Sequence, residues 1–112
     1  MSKPPIRAWF GVRCVFLHSP HRYYEERVVV FRAGNFEEAL HLAEVDAIEY
    51  CEMLGDCKFL GLMQAFKSSS EKLTEGSEVF SLIRSSKLAP KKYLSRYFDS
   101  GTEIQNGEPR RT

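Results

Sequence analysis

The sequence predicts an α+β domain in the order β-β-α-β-β, closed by a short C-terminal helix. Three observations carry this. Residues 36–54 repeat apolar side chains at helical spacing between an asparagine and a glycine. Segments rich in aromatic and β-branched residues flank that stretch on both sides, as strands do. Turn-forming residues separate those segments at hairpin-like intervals. The expected architecture is a four-stranded, mostly antiparallel sheet with one long helix packed on a face.

Residues 2–5 read as a loose end, and residues 6–17 as the first strand. Alternation places Phe10, Val12, Cys14 and Phe16 on one face, which is apolar enough to be the core face. Trp9, Gly11, Arg13, Val15 and Leu17 share the other face. His18-Ser19-Pro20-His21 makes the turn, and residues 22–32 form the second strand around Val28, Val29 and Val30. A turn centred on Ser19-Pro20 sets Arg13 against Glu26, Val12 against Arg27, Phe16 against Tyr23 and Trp9 against Val30. In that register Gly11 lies opposite Val28 and leaves a notch beside Trp9, where another group can approach closely.

Asn35 is a favoured N-cap and Glu38, three residues on, completes a capping box; Gly55 supplies the stop. At 100° per residue, Phe36, Ala39, Leu40, Ala43, Ala47, Tyr50, Cys51 and Leu54 share one arc of about 120°, the face expected on the sheet. Residues 58–66 read as the third strand, 67–77 as a solvated loop and 78–84 as the fourth strand. Pro90 opens the short helix, whose apolar side is Tyr93, Leu94, Tyr97 and Phe98. Residues 1–101 are expected to be a single domain and 102–112 a disordered tail. The third and fourth strands are apolar on both faces, which leaves room for a homodimer.

Of the 112 residues, 43% are hydrophobic and 28% charged, an ordinary balance for a soluble domain. The net charge of +1 disfavours a dedicated nucleic-acid or membrane-surface binder. The distribution is less even than the total. Glu37, Glu38, Glu44, Asp46, Glu49 and Glu52 fall within residues 36–54, which hold no Lys or Arg; the remainder holds 16 bases against 9 acids. Cys14, Cys51 and Cys57 make neither an even disulfide set nor a C-x-x-C pair, which fits a reducing, cytoplasmic setting. No stretch reads as a secretory signal or a membrane span.

The blocks WFGVRCVF (9–16), YEERVVVFRAGNFEEAL (24–40), FLGLMQAF (59–66), EVFSLIR (78–84) and YLSRYFDSG (93–101) resemble a small bacterial family of short, single-domain proteins without an assigned activity. The resemblance spans roughly residues 7–101. It implies a bacterial cytoplasmic protein, set among accessory or defence genes, and carries over no catalytic residue and no cofactor.

The chemistry the residues offer is sparse. No G-x-S-x-G, H-E-x-x-H, phosphate-loop or dinucleotide fingerprint occurs, so no catalytic residue, cofactor or metal ligand is assigned. His18 and His21 with Glu25 or Glu26 lack a third ligand on a common face and read as a polar hairpin tip; His41 reads as a solvated helix residue. Two surfaces stand out instead. Leu42, Val45, Ile48 and Met53 fall outside the core arc, between Glu49, Glu52 and their acidic neighbours. Apolar anchors with a charged rim are the composition of a protein-binding surface, here one for a basic partner, as in an antitoxin- or immunity-like protein. The alternative is a ligand- or nucleic-acid-binding sheet built on Trp9, Arg13, Glu26 and Arg84, with Tyr23, Tyr24, Tyr93 and Tyr97 as stacking partners.

Overall fold

In a computed structural model the chain is described over residues 6–105 and, for the backbone, 108–109. Strands β1 (Ala8–His18), β2 (Tyr23–Ala33) and β3 (Cys57–Lys67) form one antiparallel sheet in the order β2-β1-β3. Helix α1 (Phe36–Leu54) connects β2 to β3 and packs on one face of this sheet. The α+β class follows. By internal contacts the chain divides into two compact units, Met1–Leu82 and Ile83–Thr112.

The first unit has its core between β1 and α1. Phe10, Val12, Cys14 and Phe16 are buried, and Ala39, Ala43 and Ala47 meet them from the helix. The alanines, four residues apart, make a seam narrow enough for the helix to settle close to the sheet. Phe16 is enclosed by the rings of Tyr50 (5.1 Å) and Phe59 (5.7 Å), and Phe10 by that of Phe36 (4.9 Å). Half of the expected capping box forms: Glu38 N–H donates to the N-cap Asn35 Oδ1 (2.8 Å), whereas Glu38 Oε2 accepts from the N–H of Gly34, one residue before the cap (3.0 Å). That backbone donor, followed by the Arg7 guanidinium, holds the Glu38 carboxyl below its ordinary value.

The hairpin register differs from the expected one by two residues. Arg13 lies opposite Val28, Val12 opposite Val29, Phe16 opposite Glu25, Trp9 opposite Arg32 and Gly11 opposite Val30. The cause is the loop. Four residues, 19–22, connect the strands, and Arg22 takes a left-handed conformation (φ 58°). A two-residue slip keeps every side chain on its face, so the expected core face of β1 is unchanged. It does convert the Arg13–Glu26 pair into a diagonal contact, Nη1 to Oε1 at 3.2 Å. A bulge in β3 around Gly61 (φ 86°) spans the interval between Cys14 and Phe16 on β1.

Residues 78–84 do not form a fourth strand. The sheet has three strands, and residues 78–82 have no place in its ladder. A Cβ placed on Gly11 would come within 1.6 Å of the Val79 carbonyl oxygen, so backbone meets backbone where β1 has no side chain. The predicted notch is therefore filled by the chain itself.

In the second unit, α2 (Pro90–Tyr97) begins at a proline, as its sequence requires. The rings of Tyr93 and Tyr97 meet at 4.8 Å. β4 (Ile104–Gln105) pairs with β5 (Glu108–Pro109) within the stretch read as a disordered tail; residues 106–107 and 110–112 of that stretch lie outside the described residues, as do residues 1–5. Among the described residues no helix is long and apolar enough to cross a membrane.

Candidate functional site

The outer face of α1 is set by the seam beneath it. Once Ala39, Ala43 and Ala47 face the sheet, Val45, Ile48, Glu49 and Glu52 become neighbours at spacings of three and four on the opposite side. Val45, Ile48 and Met53 are 41%, 46% and 76% exposed. Leu42, expected to face outward with them, is half-buried and packs against Phe10, Ala33 and Ala39. The apolar row therefore has three members, displaced toward the C-terminal half of the helix.

The acids of α1 divide into two kinds. Glu38 pairs with Arg7 (2.8 Å) and Asp46 with Arg27 (2.8 Å), so both serve the fold. Among the described residues, Glu37, Glu44, Glu49 and Glu52 are exposed and have no ion-pair partner within the chain. Glu37 sits in the first turn, where the helix dipole favours it. Glu52 sits in the last turn, which holds no basic residue of its own to offset the partial negative charge of the last carbonyls, and Glu49 lies one turn before it. The placement of Glu52 works against the stability of the helix.

Beside this face lies a polar network that sequence reasoning missed as a unit. Arg27 Nη1 donates to Asp46 Oδ2, and its guanidinium lies 4.0 Å from the centroid of the Tyr50 ring. Tyr50 Oη donates to Glu25, at 2.8 and 3.1 Å from its two oxygens, and His18 Nε2 lies 2.8 Å from Glu25 Oε1. Burial first, then the hydrogen bond and charge of Glu25, push the Tyr50 hydroxyl up to about 12. The network was legible in principle. Phe31 and Val29 fix which face of β2 meets the helix, and Glu25 and Arg27 continue the same alternation. Charged residues at core-parity positions call for partners, and Asp46 and Tyr50, one turn apart on α1, supply them.

Arg27, Asp46, Glu49, Tyr50 and Met53 line a shallow groove of about 180 Å3 at the margin of the outer face. Small-molecule sites enclose roughly 300–1,000 Å3. This one is smaller than that range. Among the described residues no group of three or more His, Cys, Asp or Glu is arranged to hold a metal ion. His18 is engaged with Glu25, His21 stacks on Tyr23 at 5.5 Å, and His41 is exposed.

The residues of the sheet surface are partly assembled. Arg13 donates from Nε (2.9 Å) and Nη2 to Gln64 Oε1, contacts Glu26, and lies 5.1 Å from the centroid of the Phe80 ring. Trp9 is half-buried, and its carbonyl accepts from the N–H of buried Ser68 (2.8 Å). The space beside Gly11 holds Val79 and Phe80. Arg84 belongs to the second unit, where its Nη1 donates to Tyr93 Oη (3.3 Å) and its guanidinium covers the Tyr97 ring at 4.6 Å. Tyr23 and Tyr24 are exposed on the hairpin. Comparison with models of protein families, with curated proteins and with solved structures returns no match.

Proposed function

We propose that this chain is a non-enzymatic protein-interaction module, and that it docks a basic protein partner on the outer face of α1. Val45, Ile48 and Met53 are the anchors; Glu44, Glu49 and Glu52 form the rim; the Arg27–Tyr50 groove receives a partner side chain at the margin. One observation carries the reading. Exposed apolar residues interleave with acids that have no ion-pair partner among the described residues, one of them, Glu52, in the last turn where the helix dipole opposes it. An antitoxin- or immunity-like role, masking a basic surface of its target in the cytoplasm, is the form such a module takes; the three free thiols accord with that compartment.

The sheet surface supports a ligand-binding role less well, because Arg13 is spent on Gln64, Glu26 and Phe80 and the Gly11 notch is filled. A photoreactive residue at Ile48, used for cross-linking in cells, should capture a protein of basic isoelectric point. Val45→Arg/Glu49→Lys should lower capture at least tenfold, about 1.4 kcal/mol, while the circular dichroism spectrum stays unchanged. Equal capture by the folded double variant rejects the surface.

A further inference from the structure

Two of the three cysteines meet at the end of α1. Cys51 lies in the last turn on the sheet-facing side, one turn beyond buried Ala47. Cys57 opens β3 directly opposite His18, on the face that meets the helix. Both pack against the same buried cluster of Val12, Cys14, Phe16, Ala43 and Ala47, and the neighbouring Cys51 thiol helps to raise the Cys57 thiol. Gly55 reverses the chain between them, its N–H bonded to the Cys51 carbonyl (2.9 Å). Both are only half-buried, whereas Cys14 is fully enclosed beneath the helix.

We infer that Cys51 and Cys57 are a dithiol modification site that closes to an intrachain disulfide when the chain meets a low-molecular-weight disulfide. This is independent of the docking role of α1. Burial, then the neighbouring thiol, pushes the Cys57 thiol up to about 12. One of the two thiolates attacks one sulfur of glutathione disulfide, whose S–S bond breaks and releases one glutathione thiolate, which takes up a proton. The second cysteine then gives up its proton to solvent and attacks the protein sulfur of the mixed disulfide. The Cys51–Cys57 bond forms and the second glutathione leaves, likewise protonated. The two protein thiols lose two electrons and two protons; glutathione disulfide gains them as two thiols. The product ties the C-terminal turn of α1 to the first residue of β3.

The test uses the full chain. Glutathione disulfide is added to the folded, reduced protein, residual thiols are alkylated, and intact and peptide masses are read. The expected product carries one alkyl group, on Cys14, and a peptide joined through Cys51 and Cys57. Its melting temperature should exceed that of the reduced chain by about 4 °C or more. In denaturant Cys14 should lose its protection and become open to glutathionylation, while the short spacing of Cys51 and Cys57 still favours their closure. Three alkylated cysteines in the folded chain, a lasting glutathione adduct or a Cys14 linkage each overturn the proposal.

Discussion

At the scale of single residues, two positions concentrate the physics. Gly11 is required by its neighbour rather than by its own backbone. Any side chain there meets the Val79 carbonyl, a backbone atom that cannot rotate away. Gly11→Ala should therefore cost about 1–3 kcal/mol, the usual penalty for overpacking, read as a lower denaturant midpoint. A midpoint unchanged within error would mean that residues 78–82 do not rest on β1. Tyr50 is the second. Its hydroxyl titrates near 10 when unfolded and about 12 when folded. The folded state holds the proton more tightly, so this contribution is whole below about pH 10 and is lost as pH rises through about 12. Tyrosinate absorbance of the wild type should contain a late-ionising component that Tyr50→Phe lacks. Tyr50→Phe should also cost roughly 1 kcal/mol at neutral pH through the lost bonds to Glu25.

At the scale of elements, legibility in the sequence followed how local the determining interaction was. The N-cap, the alanine seam and the Gly55 stop of α1 are settled within the helix, and all were readable. Three strands were placed within about two residues, because alternation is a local signal. Their register was not, since it depends on a four-residue loop with Arg22 at positive φ, where the sequence suggested a turn centred on Ser19-Pro20. The EVFSLIR segment was read as a strand because its composition suits an extended backbone. Composition does not separate an extended segment in a ladder from one lying across the face of a sheet. The Gly11 notch was the clue, and its occupant was 68 positions away, at Val79. The candidate surface was half legible: Val45, Ile48 and Met53 followed from angle alone, while Leu42 sits at the margin of the arc and turned inward. The C-terminal acids of α1 yield a prediction at this scale. Replacing Glu52 with lysine removes like charge from the negative end of the helix and should raise stability by roughly 0.3–1 kcal/mol. The same replacement should weaken partner capture. Opposite signs in the two measurements mark a residue kept for binding, and weakening of both would mark a structural role.

At the scale of the whole molecule, the first unit closes its sheet on two sides by different means. α1 covers one face with a helix, whereas the other receives a strandless segment seated on a glycine. Phe80 contributes a ring under the Arg13 guanidinium, so this segment also covers a mid-strand charge that bonds Gln64 and meets the Glu26 carboxylate at 3.2 Å. The last stretch that the first unit requires is then residues 77–82, and chain length should affect folding in a step at that point. A chain ending at Leu82 should unfold in one cooperative transition, with the Trp9 emission maximum of the full protein. A chain ending at Gly76 removes Val79 and Phe80 together and exposes Gly11 and the apolar stem of Arg13. Restoring one aromatic contact is worth roughly 2 kcal/mol, so the shorter chain should lose about that much stability or more. It should also bind a hydrophobic dye and show red-shifted Trp9 emission. Matching transitions in the two truncations would place the closure of this face elsewhere, and the close approach at Gly11 would then be a contact without energetic weight.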